Sequence, residues 1–182
     1  MSIATTFDVA SVTDRLLIGG AITGRGHAAW LAGQGVTDVI SAAVELSDRA
    51  TCARHRLGYR HVLWYDDKQL KPLVDFARTL AWVREREAEC RAGGGKMRLY
   101  VHCAMGINRG PLLAAFLLAA LEGIAADEAW ALIKRVRPHV ESFDVPAYRH
   151  SCLLALAGYT VNAVPESLPP HVAALSRRAP AP

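Results

Sequence analysis

Apolar residues along the chain follow two alternating rhythms. Short runs rich in β-branched and aromatic residues recur at 14–18, 36–41, 59–65 and 97–102, and these read as strands. Between and after them the spacing is helical. The longest predicted helix covers about 70–90, where Leu70, Leu73, Val74, Ala77, Leu80, Ala81 and Val83 return every three or four positions and are expected to face a core, with Pro72 tolerated in the first turn. Gly93-Gly94-Gly95 then ends this helix and turns the chain into the strand at 97–102. The almost wholly apolar stretch Pro111–Leu121 is too short to span a bilayer and predicts a buried central helix. Two more helices are expected at about 126–137 and 146–157, the first burying Trp130, Leu132 and Ile133. Strands that alternate with helices predict an α/β fold, with a mostly parallel central sheet of four to five strands covered by helices on both faces.

Length and composition narrow this picture. With 182 residues the chain can bury a sizeable core as a single domain. That domain is expected over 1–160, followed by a Pro/Ala-rich tail over 161–182 that contains Pro165, Pro169, Pro170, Pro180 and Pro182. The four cysteines, at 52, 90, 103 and 152, are too scattered for a disulfide framework or paired zinc spacing, and Cys52-x-x-His55 has no second half. No metal or cofactor is therefore expected, and Cys52, Cys90 and Cys152 read as partly buried thiols. Residues 1–12 hold Thr5, Thr6 and Asp8 in place of a positive patch and a long apolar run, so a cytoplasmic protein without membrane attachment is expected. The formal charge of +4 is a mild basic bias, far below that of a dedicated nucleic-acid surface, and no nucleic-acid partner is expected. Arg54, Arg56, Arg60, Lys68 and Lys71 gather around the strand at 59–65, either to steer an acidic substrate or as a solvated basic face.

The chemistry concentrates in His102-Cys103-Ala104-Met105-Gly106-Ile107-Asn108-Arg109. Given 4 Cys, 7 His and 14 Gly among 182 residues, a Cys–Arg pair six apart with His before and Gly three after arises by chance in about one chain in a thousand. A cysteine attacks as thiolate, and its ordinary pKa of about 8.5 leaves it mostly protonated at neutral pH unless positive charge stabilises the anion. Residues 104–109 can curl so that successive N–H groups face inward, and the helix starting near Pro111 would aim its positive dipole end at the same loop. Such a cradle fits a tetrahedral dianion. Arg109 would close it with a planar fork for two phosphoryl oxygens, and Gly106 would allow a positive φ or a close backbone approach.

At these residues the chain resembles the cysteine-dependent protein tyrosine phosphatase superfamily, and within it the compact dual-specificity branch. Val12–Gly20 resembles the family's opening strand and Gly35–Ser41 its next, while Arg109-Gly110-Pro111 and Ala129–Pro138 are similar to its closing helices, so the likeness covers about residues 8–158. The resemblance implies that Cys103 is the nucleophile of a phosphocysteine mechanism, that Arg109 and the backbone of Ala104, Met105, Gly106, Ile107 and Asn108 bind phosphate, and that His102 supports the nucleophile. It also implies a general acid one helix and one strand earlier. Asp66-Asp67 stands there, at the end of the strand 59–65, and Asp67-Lys68-Gln69-Leu70 followed by a helix fits the acid better than Asp66. One position departs from the pattern: the family carries Ser or Thr after the loop arginine, and here that residue is Gly110. The missing hydroxyl predicts slow hydrolysis of the phosphocysteine.

The expected activity is hydrolysis of phosphotyrosine, extending to phosphoserine and phosphothreonine, in a protein or peptide partner. Ala104, Met105, Ile107 and Asn108 add no cation to the loop, which favours a single phosphate. The alternatives are a non-protein substrate (an RNA 5′-triphosphate, a phosphoinositide or an inositol polyphosphate) or a weakly active phosphate-binding module, the last suggested by Gly110.

Overall fold

The computed structural model describes residues 7–24 and 26–159, so the expected tail at 161–182 lies outside the described residues. Five strands, β1 (Val9–Ser11), β2 (Leu16–Gly19), β3 (Asp38–Ser41), β4 (Gly58–His61) and β5 (Leu99–His102), form one sheet in the order β1-β2-β5-β3-β4. β2, β5, β3 and β4 run parallel, with Ile18 and Ile40 both opposite Val101, and only β1 is antiparallel, as an edge. All four parallel strands therefore end at one rim, with β5 in the centre, the place where ligand sites of open α/β sheets form.

Alternation along each strand sorts the side chains onto two faces. Leu16, Ile18, Ile40, Leu99 and Val101 join the larger core, against α3 (Leu73–Ala92), α4 (Arg109–Glu122), α5 (Ala126–Val136) and α6 (Pro146–Leu156). Leu17, Val39 and Tyr100 join a smaller core with residues of α1 (His27–Gly33) and α2 (Arg49–Arg54). From Arg109 to Ala119 every residue of α4 is buried, so the helix that begins at the site is fixed by packing along most of its length.

The α/β reading and the parallel sheet hold; several details differ. β1 and α2, three and six residues long, are too short to show periodicity and were not expected. α3 begins at Leu73, which leaves Leu70 on the preceding loop and exposed. Ala81 also faces solvent, and Phe76 and Thr79 take core positions, Thr79 by accepting a hydrogen bond from Arg60 Nε at 3.0 Å. In α5 only Ile133 of the three expected core residues is fully buried: Trp130 and Leu132 are half-buried, and Trp130 stacks on Phe143 with ring centroids 4.8 Å apart. Among the described residues no helix is long and apolar enough to cross a membrane.

Candidate active site

Cys103 follows the last residue of the central strand and is 2% exposed, so its sulfur is reached only through the loop that follows. That loop is shaped by its carbonyls. Ala104 O accepts from Ala21 N (3.0 Å), Met105 O from Arg137 Nη2 (3.4 Å), Ile107 O from Glu141 N (3.2 Å) and Asn108 O from Leu112 N (3.0 Å) and Ser142 Oγ. Four carbonyls are thus claimed from outside the ring, while none of the N–H groups of residues 104–108 finds an acceptor among the described residues. Gly106 makes the reversal possible: its φ is +66°, and a Cβ there would run into the backbone of Gly19. A run of unpaired N–H groups between a cysteine and the start of α4 has the makings of an anion cradle.

Arg109, the first residue of α4, is 3% exposed, and its two edges are used differently. The outer edge is occupied: Nη1 and Nη2 donate to the two carboxylate oxygens of Glu45 at 2.7 and 2.6 Å, and Nη1 also donates to Trp64 O at 3.0 Å. The inner edge is open, for Nε is buried without a hydrogen-bond partner. Burial works against the guanidinium's charge, but the Glu45 hydrogen bonds and the negative charges of Cys103, Glu45 and Asp66 more than offset it and raise the Arg109 pKa further. The same hydrogen bonds hold the Glu45 carboxyl below its ordinary range. Glu45 therefore orients a fork whose remaining donors fit two oxygens of a phosphoryl group.

The residues after β4 bring a carboxyl group to this cradle, that of Asp66. Its Oδ2 lies 3.8 Å from Arg109 Nε, and its Oδ1 accepts from Asn108 Nδ2 (3.3 Å) and from the hydroxyl of Tyr148 on α6 (3.1 Å). Asp67, the residue expected from sequence, is engaged elsewhere: its Oδ1 accepts from the Lys71 ammonium and from Gln69 N (3.0 Å). Burial is the largest single influence and raises the Asp67 carboxyl, but the hydrogen bonds from Lys71 and Gln69 and the charge of Lys71 together outweigh it and hold the group below the ordinary aspartate range. Lys71 is buried, donates to Tyr65 O at 2.6 Å, and lies 4.8 Å from the centroid of the Tyr148 ring. Burial and the nearby Asp66 charge push the Tyr148 phenol up, so it keeps its proton.

Beneath the nucleophile, His102 is wholly buried, with Nε2 3.1 Å from Asp48 Oδ2 and Nδ1 3.3 Å from Cys103 O. Glu45, Asp48 and Tyr148 are the site's contributors that sequence reasoning missed. The expected basic cluster divides: Lys71 is internal, Arg60 is half-buried against Thr79, and Arg54 and Arg56 precede β4, at the opposite end of the sheet from the site. Lys68 stays exposed on the acid loop beside Asp66 and Asp67, and large apolar side chains share this rim. Leu63, Tyr65 and Leu70 of the acid loop and Met105 of the cysteine loop are large apolar side chains left exposed, Tyr65 and Met105 by 63% and 68%.

Gly110 has a steric reason. A Cβ at this position would stand 2.9 Å from His102 C and 3.0 Å from Cys103 N, so α4 begins closer to the nucleophile's backbone than a side chain permits. A hydroxyl cannot be added here without moving Cys103.

No family model matches the chain, and no curated protein does. Among solved structures the chain is similar to human DUSP28, with 19% identity over 82% of this chain and 93% of that one and a TM-score of 0.65. It is also similar to a mouse dual specificity phosphatase complexed with zinc tungstate (22% identity, 88% and 91% covered, TM-score 0.63) and to PTPMT1 in complex with PI(5)P (14%, 82% and 97%, 0.66). The fold is that of the cysteine-dependent dual-specificity phosphatases.

Proposed function

We propose that this protein, built on the dual-specificity phosphatase fold, hydrolyses phosphomonoesters through a phosphocysteine, and that its substrate is a phosphorylated protein side chain, phosphotyrosine before phosphoserine or phosphothreonine. The observation that carries the reading is the run of unpaired N–H groups in the loop between Cys103 and α4, together with the buried, unpartnered Nε of Arg109. The Cys103 sulfur attacks phosphorus as the P–O bond to the leaving group breaks, and Asp66 gives its proton to the departing oxygen. Asp66, now a carboxylate, takes a proton from water; the resulting oxygen attacks phosphorus, the S–P bond breaks, and thiolate and inorganic phosphate are released. Arg109 and the loop N–H groups hold the equatorial oxygens in both steps, where charge is spread over them.

The lining supports this substrate class. Apart from Arg109 no cation faces the loop from Ala104, Met105, Ile107 or Asn108, which suits one phosphate, and the exposed Leu63, Tyr65, Leu70 and Met105 suit an aromatic or apolar carrier. A second reading, a phosphoinositide, draws on the likeness to PTPMT1, itself solved with PI(5)P. Initial rates on an aryl phosphate, tyrosine and serine phosphopeptides, phosphoinositide vesicles and RNA 5′-triphosphate separate these, with Cys103→Ser as the blank. We expect phosphotyrosine peptides to lead and Cys103→Ser to bind vanadate without turnover. Faster turnover of the vesicles selects the second reading, and full activity in Cys103→Ser overturns both. Asp66→Asn should slow poor leaving groups strongly while Asp67→Asn does so weakly; the reverse order would return the acid to Asp67.

A further inference from the structure

We propose that Tyr148 is a positioning residue for the acid, its hydroxyl fixing Asp66 so that the transferable proton sits on Oδ2, the oxygen facing Arg109. The inference rests on the proposed role of Asp66 and adds to it the element that orients the carboxyl.

It follows from counting protons. A phenol carries one O–H to donate and lone pairs to accept with. Lys68 N, 3.3 Å from the Tyr148 oxygen, can only donate, so the phenol accepts there and its single proton is left for Asp66 Oδ1 at 3.1 Å. Asn108 Nδ2 also donates to the carboxylate, nearer to Oδ1 at 3.3 Å than to Oδ2 at 3.5 Å. A proton on Oδ1 would meet the Tyr148 hydroxyl at 3.1 Å and the shorter Asn108 contact; Oδ2 has only the longer Asn108 contact at 3.5 Å and faces Arg109 Nε from 3.8 Å, beyond hydrogen-bond distance. The donor is itself held firmly. Tyr148 is fully buried on α6, and the Lys71 ammonium lies over its ring while binding Tyr65 O and Asp67. Three residues beyond Lys68, Lys71 N donates to Ser151 Oγ at 2.8 Å, a second tie to the same helix. The acid loop is thus latched to α6 at two backbone positions just after Asp66, and the first of them, Lys68, adopts a left-handed φ of +57°.

The test is a set of aryl phosphates spanning leaving groups from very acidic to poorly acidic phenols, assayed with the native protein, Tyr148→Phe, Asp66→Asn and the double variant. Removing one hydroxyl leaves the ring in place, and a thermal melt of each variant reports whether the fold is retained. Tyr148→Phe should lower kcat about tenfold for the poorest leaving group and less than twofold for the best, with KM unchanged. In the Asp66→Asn background it should cost nothing further, because Tyr148 acts through Asp66. An equal loss for all leaving groups, or losses that multiply in the double variant, would overturn the proposal and mark Tyr148 as structural. Leaving-group sensitivity in Asp66→Asn without any in Tyr148→Phe would also overturn it while leaving the reaction intact, and none in either variant would overturn the role of Asp66 as well.

Discussion

In the cysteine loop the backbone faces the ligand and the side chains are nearly incidental; in the acid loop, residues 62–72, the arrangement is reversed. The first is shaped by four carbonyls drawn outward and by two glycines that admit close contacts, at Gly106 and Gly110. The second offers one carboxylate, aimed by Tyr148 and Asn108 and backed by Lys71. Backbone cradles are rigid because moving one N–H moves its neighbours, whereas a side-chain acid can be redirected by changing a single partner. The two loops therefore differ in how they should fail: the cysteine loop all at once, the acid loop in proportion to the leaving group's need for a proton.

The largest expected effect lies where the two loops meet. Arg109→Lys exchanges a planar fork, held on one edge by Glu45 and open on the other, for a point charge. Loss of one preorganised donor pair costs about 10²–10³-fold in kcat/KM, and the loss should be equal for good and poor leaving groups because the arginine binds phosphoryl oxygens in every case. A change under threefold would show that the fork is dispensable. A loss confined to poor leaving groups would place Arg109 with the acid loop and break the comparison.

The same contrast explains what could be read before any coordinates. The cysteine loop was legible because its nucleophile, its glycine and its arginine lie within eight consecutive residues and the chemistry dictates their spacing. In the acid loop nothing local distinguishes Asp66 from Asp67, and the structure separates them by a partner distant in the chain: Asp66 takes the Tyr148 hydroxyl, 82 positions away. Glu45 and Asp48 were not legible at all. Each is a lone acidic residue in a segment without periodicity, and only the parallel pairing of β3 with β5 brings that segment beside Arg109 and His102. The sheet and the long helices were legible because burial imposes a period, but Leu70 and Trp130 show that an apolar residue in phase is not always a covered one.

A smaller effect is expected at Gly110, and it has a direction opposite to the one the family pattern suggests. Supplying the hydroxyl with Gly110→Ser also supplies a Cβ 2.9 Å from the backbone of His102, and overpacking of this kind costs about 1–3 kcal/mol. For a domain of this size the melting temperature should fall by about 2–10 °C, and kcat should fall with it for all leaving groups alike, because the whole cradle shifts. A faster steady state at unchanged melting temperature would mean that the cysteine loop yields locally, and would restore the missing hydroxyl as the limit on turnover.

The smallest effect concerns acid stability, and it asks whether the carboxylates that brace the two loops are equally committed. Hydrogen bonds from Arg137 hold the Asp8 carboxyl low, those from Arg109 hold Glu45 low, and at Asp67 the hydrogen bonds from Lys71 and Gln69 outweigh an opposing burial. Each folded-state pKa lies below its unfolded value, so each carboxylate contributes stability that is complete above about pH 5 and is lost as pH falls toward the folded-state pKa. Glu45 and Asp67 are both close to half exposed, so solvent screening keeps each contribution small. Melting temperature measured from pH 7 to pH 3 should be flat and then decline. Glu45→Gln should remove part of that decline, lowering the plateau while leaving the melting temperature at pH 3 nearly unchanged, since protonated Glu45 and glutamine are both neutral. Asp67→Asn should do the same at lower pH, its starting pKa being lower. If Glu45→Gln lowered stability equally at pH 7 and pH 3, the ion pair would not be the source of the acid sensitivity, and Glu45 would be bracing Arg109 by shape alone.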